Sequence, residues 1–330
     1  MKLSNPARQL AKRLMIPRIR VSGFFFGIVA LFISVVFVLP ASAQTCGGAV
    51  KCSCGDTLLD DRTLTDDPIL TAVCPGDGLI IGASGVTLDL KTKILNGSGN
   101  GAGVLVLAGV DDVTITGQAH NIGRIQGFGT GIRIAAGASH VTVTGVQAYY
   151  NTGDGILVEG DHNTIISSPG RHNGNHGHAV INGHHNVIAG ANNEYNGDNG
   201  FFVRGDFNEL IGNLASENDK IRQGHGNGIE VIGHNNIIRL SKLSKLNTNG
   251  IVVVGNDNYL EGNTTNKHKL YGITLKGARA VLINNKATNT TNKGILVEGT
   301  GAPFASRGNI SDKGVCVIYG VTGQGVCTRK

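Results

Sequence analysis

The chain has 330 residues, of which 50 are glycine and none is tryptophan, and it carries 29 basic against 23 acidic residues. So much glycine excludes a mainly helical protein, because each interior glycine costs a helix about 0.5–1 kcal/mol. The formal charge of +6 would point to a nucleic-acid or anionic-membrane partner if it were spread along the chain. It is concentrated instead in the first 43 residues.

Residues 1–43 have the pattern of an export signal. Six basic residues precede the apolar run Val21–Leu39, and Pro40-Ala-Ser-Ala43 offers an A-x-A cleavage site. We predict cleavage after Ala43 and a secreted or periplasmic protein; an uncleaved anchor is the alternative, since the run nearly spans a bilayer. The remaining chain has 23 basic and 23 acidic residues. We therefore expect no nucleic-acid partner, and contact with a membrane only through an uncleaved signal segment.

Six cysteines lie near the two ends of the exported chain. An even number in an exported protein predicts disulfide bonds, and the favoured pairs are Cys46–Cys52, Cys54–Cys74 and Cys316–Cys327. These pairs would staple an N-terminal cap and first coil over residues 44–84 and a C-terminal cap over 300–330. A metal knuckle at Cys52-Ser-Cys54 is the alternative, but no suitably spaced Cys/His pair accompanies it.

A five-residue phrase recurs between Thr130 and Glu298, with glycine at its second position. Its copies read TGIRI, DGILV, NGFFV, NGIEV, NGIVV, YGITL and KGILV, and their glycines lie 24, 45, 28, 22, 22 and 22 residues apart. The segment His178–Gly183 fills the interval of 45. A period near 22 residues is typical of a solenoid.

Each period contains runs of only three to five alternating apolar residues, bounded by Gly, Asn and Asp, which predicts short strands. Twenty-two residues are too few for a strand, a helix and two loops, so equivalent strands should stack on the next turn at ~4.8 Å. We therefore predict an all-β, single-stranded parallel β-helix over residues 85–299, with capped ends. Alternating aliphatic residues, such as Ile156 and Val158, should line its interior. Two asparagine ladders should run along it, at positions 163, 186, 208, 236 and 258 and at positions 151, 173, 196 and 218.

The segment Cys54–Asn96 reads CGDTLLDDRTLTDDPILTAVCPGDGLIIGASGVTLDLKTKILN. It resembles the start of bacterial secreted proteins with right-handed parallel β-helix repeats, and the later GI-x-V and N-x-I-x-x-N phrases are similar to the repeat of that family. The resemblance implies a pectin-lyase-like fold and right-handed winding. The family includes polysaccharide lyases, hydrolases and epimerases, and members of unknown activity. The Asp-Pro-His-Asp signature of mannuronan epimerases is absent, so no catalytic residue is carried over.

The first candidate site is a groove beside an insertion near Asp219–Gly224. We place Glu159, Asn182, Arg204 and Glu230 on successive turns of one outer sheet face. The candidate catalytic residues are His176, Arg204, Lys220, His225 and Glu230, and the candidate substrate contacts are Asp154, Glu159, Asp198 and Arg222. Arginine and lysine would neutralise the carboxylate of an acidic sugar while His, Lys or Arg acts as base. Paired carboxylates that hydrolyse a glycosidic bond are one alternative, and solvated turn residues are another.

Two further features stand out. Six histidines fall within 24 residues, and two of them, His162 and His185, occupy the same slot one turn apart. They could share a metal ion, or they could simply belong to a column of polar turn residues. No metal site or cofactor is predicted, with a divalent ion such as calcium as the alternative. An outer apolar stripe of Leu157, Val180, Phe202, Val252 and Leu296 offers a surface for the tail, a glycan or a second protomer.

The leading functional hypothesis is an exported β-helix that binds or processes an acidic polysaccharide, as a lyase, epimerase or hydrolase. The alternative is a non-catalytic surface rod, adhesin or assembly module. No P-loop, H-E-x-x-H or G-x-S-x-G motif is present. The sequence therefore leaves open whether the protein is an enzyme.

Overall fold

The computed structural model describes residues 44–118, 123–220, 226–245, 247–299 and 305–311, with the backbone of 317–319 and 328–329. The predicted signal segment and its cleavage site lie outside the described residues, as do Cys316, Cys327, Arg222 and His225. Within the described part of the chain, no helix combines the length and the apolar composition that crossing a bilayer requires.

The described chain winds through three parallel sheets in a fixed order, one strand in each sheet per coil. Sheet 1 contains β1 Thr45–Cys46, β2 Asp56–Leu58, β5 Leu79–Ile81, β8 Ala102–Val106, β11 Thr130–Ile134, β14 Ile156–Val158, β17 His178–Ile181, β20 Phe201–Arg204, β23 Ile229–Ile232, β26 Ile251–Val254, β29 Ile273–Lys276, β32 Ile295–Glu298 and β35 Val317–Tyr319. Sheet 2 contains β3 Arg62–Thr63, β6 Thr87–Asp89, β9 Thr114–Thr116, β12 Thr142–Thr144, β15 Thr164–Ile166, β18 Val187–Ala189, β21 Glu209–Ile211, β24 Ile237–Arg239, β27 Tyr259–Glu261, β30 Val281–Ile283 and β33 Ala305–Arg307. Sheet 3 contains β4 Val73–Cys74, β7 Ile94–Gly97, β10 Gly123–Gln126, β13 Val146–Tyr149, β16 Gly170–Arg171, β19 Asn192–Glu194, β22 Leu214–Ser216, β25 Lys242–Ser244, β28 Thr264–Asn266, β31 Lys286–Thr288, β34 Ile310–Ser311 and β36 Thr328–Arg329. One short 3-10 helix, Pro68–Leu70, interrupts the first coil.

This arrangement confirms the predicted all-β parallel β-helix. Strand β17 pairs with β14 on one side and with β20 on the other, so the glycine interval of 45 is indeed two coils. In the tail, β33, β34, β35 and β36 continue the three sheets beyond Gly299. The backbone therefore keeps stacking in a region where the sequence period is lost.

The interior is a set of aliphatic columns, one for each inward strand position. Ile156 and Val158, in the coil before β17, are buried, and so are Phe201 and Val203 in the coil after it. Val180 is also buried, so the prediction that it belongs to the outer stripe is wrong. The anchor glycine of β17 is Gly177, and counting from it places Val180 inside, with Ala179 in the outward slot beside Phe202.

The corners between sheets share one local design, in which a residue with left-handed backbone precedes a buried ladder residue. His162 has φ 58° before Asn163, and Gly212 has φ 61° before Asn213. The left-handed residue turns the chain sharply, and the ladder side chain then satisfies backbone groups that the turn leaves unpaired. Asparagine therefore recurs at these corners for a backbone reason.

Both predicted asparagine ladders are present. The Oδ1 atom of Asn208 accepts the backbone N–H of Asn186 at 2.9 Å, and that of Asn236 accepts the N–H of Asn208 at 2.8 Å. A third ladder, which sequence reasoning missed, follows the corner between sheets 2 and 3. Its members are Asn213, Ser241, Asn263, Asn285 and Asn309.

The N-terminal end contains the disulfide bonds Cys46–Cys52 and Cys54–Cys74, the two pairs that the sequence favours there. Beside them, the buried carboxylate of Asp67 accepts the backbone N–H of Cys52 and pairs with Arg62 at 2.8 Å. These bonds hold the first coil, where the sheets would otherwise begin at an open edge. Disulfide bonds of this kind are typical of proteins in oxidising compartments.

Candidate functional site

A cleft of about 590 Å³ lies where the corner between sheets 3 and 1 meets the outer face of sheet 1. We call it the sheet 1 cleft. Four of the residues predicted to form the site line it, namely His176, Asp198, Arg204 and Glu230. Asparagines, Phe202 and Val252 complete much of its wall. Residues up to 76 positions apart in the sequence, His176 and Val252, therefore meet in one cleft of the solenoid.

Strand alternation explains how these side chains reach the cleft. Phe201 and Val203 are buried, so Phe202 and Arg204 project outward. In the next strand Glu230 pairs with Phe202, and Ile232 pairs with Arg204. Arg204 and Glu230 are thus diagonal neighbours, with α-carbons roughly 8 Å apart from the usual spacings of parallel strands.

This register corrects the predicted column of four outer residues. Arg204 and Glu159 each lie four positions after their anchor glycine, whereas Glu230 lies only two positions after Gly228. Glu230 consequently lies one outward slot away from the slot of Arg204, and Asn182 belongs to a turn with φ 57°. The cleft combines two adjacent slots of the sheet where we had expected one.

A row of outer amides holds the carboxylate of Glu230. Its Oε2 atom accepts hydrogen bonds from Nδ2 of Asn199 at 3.1 Å and from Nδ2 of Asn227 at 3.0 Å. The row continues because Nδ2 of Asn249 donates to Oδ1 of Asn227 at 2.8 Å. Two amide donors on one oxygen fix the direction of the carboxylate.

Sequence reasoning missed Asn227 and Asn249 as site residues, although their signal is visible. Three consecutive phrases, NGFFV, NGIEV and NGIVV, begin with asparagine, while the flanking phrases begin with other residues. Asparagines at the first position of the phrase stack from coil to coil as the interior ladders do, but they lie on the outer surface. An amide row outside the core leaves polar groups available to a ligand.

His176 is buried against the cleft wall. Its ring stacks on Phe202 with centroids 4.8 Å apart, and its Nδ1 atom accepts the backbone N–H of Asn199 at 3.2 Å. Accepting at Nδ1 requires that atom to be unprotonated, so the proton of the neutral ring sits on Nε2. Asp154, another predicted residue, accepts the backbone N–H of His176 at 3.0 Å and so orders the turn that carries it.

Arg204 is exposed, and its guanidinium carbon lies 5.5 Å from the centre of the Phe202 ring. It forms no ion pair with another described residue, in contrast to Arg133, which pairs with Glu159 at 2.7 Å on the same sheet. Glu159 is therefore held by an arginine outside the cleft. A cation stacked on an aromatic face with no carboxylate partner is suited to an anionic ligand.

Lys220 lies elsewhere. Its ammonium nitrogen is 5.1 Å from the centre of the Tyr195 ring and 3.8 Å from Glu217, in a second cleft on the far side of the same corner. Lys220 and Glu230 therefore lie in different clefts and do not form one site. Arg222 and His225 remain predictions, because they lie outside the described residues.

Comparison with solved structures bears on the fold. The chain is similar to the Dettilon tailspike protein, with a TM-score of 0.54 and 16% identity over 84% of this chain and 60% of the tailspike. It is also similar to the alginate lyase of Paenibacillus sp. str. FPU-7, with a TM-score of 0.51 and 15% identity over 78% of this chain and 94% of the lyase. A GH87 α-1,3-glucanase catalytic domain gives a TM-score of 0.51 and 12% identity, covering 85% of this chain and 60% of the glucanase.

The chain has the parallel β-helix fold. At identities of 12–16% the likeness establishes the architecture alone, and the chain spans only 60% of the tailspike and of the glucanase. No protein-family model matches the sequence, and no curated protein matches it. The resemblance first seen in Cys54–Asn96 is confirmed at the level of the fold.

Two of the six clustered histidines, His162 and His185, lie in one stack of rings. The rings of His162 and His185 are 4.8 Å apart and parallel within 2°, and the stack extends to His140 and Phe207. Parallel rings at this spacing cannot direct two nitrogen atoms to one ion at the ~2.0–2.1 Å that metal–imidazole bonds need. The geometry therefore favours the polar turn column over a shared metal ion.

Among the described residues, one group of three potential metal ligands occurs, formed by Asp111, Asp112 and His140. Asp111 already accepts hydrogen bonds from Ser139 and from Nδ1 of His140, at 2.7 and 2.8 Å. Neither aspartate lines the sheet 1 cleft or the second cleft. The group is therefore separate from both clefts.

The outer apolar stripe is less exposed than the sequence suggested. Leu157, Phe202 and Val252 are half-buried and Leu296 is buried. Phe202 is covered on one side by His176 and approached by Arg204, and Glu230 separates it from Val252. The stripe forms part of the wall of the cleft.

Proposed function

We propose that this protein is an exported β-helix that binds an acidic polysaccharide in the sheet 1 cleft and transfers a proton there. The observation that carries the proposal is that Arg204, exposed and without an ion-pair partner in the described part of the chain, lies one outward slot from the amide-held carboxylate of Glu230.

The chemistry assigned to each residue follows from its surroundings. Arg204 would pair with the carboxylate of a uronate unit, which makes the proton on the neighbouring carbon more acidic. Glu230 would act as the proton-transfer group, held in place by Asn199 and Asn227. His176 would keep Phe202 in place beneath the sugar, since its ring stacks on Phe202 and its Nδ1 atom is engaged by the backbone.

The names of the structural neighbours agree with this chemistry. One is an alginate lyase, and another is an α-1,3-glucanase solved with tetrasaccharides. The β-helix fold hosts several activities, so fold likeness supports a glycan substrate without choosing the reaction. For the reaction itself we favour elimination or epimerisation at a uronate over hydrolysis, because the arginine has no carboxylate partner among the described residues and can pair with that of the sugar.

The test uses the exported chain, residues 44–330, against polygalacturonate, alginate and hyaluronan. Unsaturated products are read at 235 nm, reducing ends by a colorimetric assay, and epimerisation by proton exchange with solvent. Glu230→Gln should lower kcat by about 10²–10⁴-fold, the range for loss of a general acid or base. Arg204→Gln should chiefly raise KM.

The β-helix supplies matched controls in Glu159→Gln and Arg133→Gln, which break an ion pair on the same sheet outside the cleft. Both controls should retain wild-type activity. An active protein that survives Glu230→Gln unchanged would place the chemistry elsewhere. Failure to bind or alter any of the three polymers would favour the alternative of a non-catalytic rod.

A further inference from the structure

The second cleft, of about 510 Å³, is lined by an aromatic row that sequence reasoning did not assemble. Tyr150, His172 and Tyr195 occupy the same corner slot in three consecutive coils. Their rings stack with centroids 4.8 and 4.9 Å apart, and Lys220 lies over the far face of the row beside Tyr195. Tyr150 ends the row with 57% of its surface exposed. We call this set the corner aromatic row.

The backbone at these positions is one that bulky residues seldom adopt. Tyr150, His172 and Tyr195 have φ values of 50°, 55° and 58°. Later coils fill the same slot with Glu217, Lys245, Lys267 and Asn289, also at positive φ. Aromatic residues are thus not needed to make the turn, and placing them in a strained conformation is a feature that often accompanies function.

Three cations and two carboxylates surround the aromatic surface. Glu194 pairs with Arg171 at 3.6 Å and Glu217 with Lys220 at 3.8 Å, which leaves Arg124 without a carboxylate partner among the described residues. The guanidinium of Arg124 lies 5.0 Å from the ring centre of Tyr149, the neighbour of Tyr150 on sheet 3. Arg171 lies next to His172 and, after burial, is the second cause of the lowered pKa of that histidine. Aromatic rings offer the apolar face on which sugar C–H groups pack, and adjacent cations favour a sugar that carries a carboxylate.

The corner aromatic row and the sheet 1 cleft have two coils in common. The turn that begins at His172 ends at His176 in the sheet 1 cleft, and the turn that begins at Tyr195 continues to Asp198 and Asn199. Only three residues separate the two sides of each turn. A polymer bound across this corner can therefore contact both clefts.

We infer that the corner aromatic row is a second glycan-binding subsite, which takes an acidic sugar unit of a chain whose other part lies in the sheet 1 cleft. One sugar unit packs on Tyr150, the exposed end of the row, and further units run along the ring edges towards Tyr195, where Lys220 pairs with a sugar carboxylate. The inference rests on the proposed function for the identity of the polymer, but binding at the row requires no reaction.

The absence of tryptophan provides a clean probe. Tyr150→Trp introduces a single indole at the exposed end of the row, and its fluorescence should change on addition of size-defined oligogalacturonates or oligoalginates. Neutral maltooligosaccharides are the control ligand. All titrations are made in the Glu230→Gln background, which keeps the ligand intact, so that binding at the row is measured separately from turnover. The variants described below, which lack the indole, are titrated by calorimetry.

Two substitutions remove the aromatic surface while keeping the turn. Tyr150→Asn and Tyr195→Asn insert a residue that tolerates positive φ and that occupies the same slot at Asn289. Each should weaken binding of long acidic oligosaccharides by about tenfold, and Lys220→Gln should reduce the salt dependence of binding. The matched control is Phe207→Asn, at another corner, where an exposed aromatic ring also stacks at φ 58° on a histidine.

The outcomes separate this inference from the proposed function. Turnover of polymer with no change of KM or Kd in Tyr150→Asn and Tyr195→Asn overturns the subsite and leaves the sheet 1 chemistry standing. Tyrosine-dependent binding without turnover by any variant supports the subsite and contradicts the proposed reaction. A loss of affinity as large in Phe207→Asn as in Tyr195→Asn would show that the effect is structural and would overturn the subsite.

Discussion

The Asn208→Ala substitution tests the ladder that holds the coils together. Asn208 is buried, and its Nδ2 atom donates to the carbonyl of Gly183 at 3.0 Å while its Oδ1 atom accepts the N–H of Asn186 at 2.9 Å. Truncation to alanine removes both bonds at once. The side-chain amide of Asn186 also loses Oδ1 of Asn208 as an acceptor, but it keeps a second acceptor, the carbonyl of Gly160, so this change costs less.

The magnitude follows from the two groups left without a partner. A buried donor or acceptor that loses its hydrogen bond costs ~1–3 kcal/mol, so the pair predicts a loss of about 2–6 kcal/mol. For a chain of this size a loss of 1 kcal/mol lowers Tm by roughly 2–4 °C. We therefore expect Tm to fall by at least about 5 °C, measured by circular dichroism and by calorimetry.

Three companion variants assign the cause. Asn292→Ala removes an exposed asparagine that makes no side-chain hydrogen bond with a described residue, and its Tm should stay within about 1 °C of wild type. Asn208→Ser should recover part of the loss, because Ser241 serves as a ladder residue at another corner. Asn208→Leu should be as unstable as Asn208→Ala. Equal melting of the Asn208→Ala and Asn292→Ala proteins would refute the ladder as a source of stability.

The remaining predictions concern the interior, the coil spacing and the N-terminal cap. Burial lowers the pKa of His178 to about 3, against 6.5 when exposed, so the unfolded chain binds the proton first and stability should fall by about 3 kcal/mol from pH 7 to 4.5. His178→Leu should flatten that loss in urea titrations and His185→Asn should not; identical pH profiles for wild type and His178→Leu would count against this assignment. Gly228→Ala places a Cβ atom 2.7 Å from a carbonyl oxygen of the next coil and should cost ~1–3 kcal/mol, whereas Gly76→Ala meets open space and should be neutral. Replacing both cysteines of the Cys54–Cys74 bond by serine should cost about 3 kcal/mol, and an unchanged melting curve would show that the cap folds without it.

Part of the candidate site could be read from the sequence, and part could not. The outward direction of Arg204 and Glu230 follows from counting alternate positions after a glycine, and the phrases beginning with asparagine mark the outer amide row. The error at Val180 arose from starting the phrase of that coil at His178 when its anchor is Gly177, which moved a side chain from the core to the surface. A shift of one residue is enough for such an error, because strand side chains alternate with a period of two.

The corner aromatic row shows a different limit. Tyr150, His172 and Tyr195 lie 22 or 23 residues apart in the sequence, but their contact depends on the left-handed backbone that each one adopts at the corner. Lys220 lies beside them at the start of a longer corner, where Asn199 and Asn227 of successive coils are 28 residues apart. No local pattern states where the residues of an insertion will lie.

By itself the sequence determined the architecture of this protein. A period of about 22 residues, with strands too short to stand alone, allows one solution, in which every coil bonds to the next. The tertiary structure decided which side chains meet on the surface, since neighbours there are set by register between coils and by the extra residues at the corners. The core repeats because backbone bonding requires it, while the outer face is free to vary, and it is on that face that the two clefts are found.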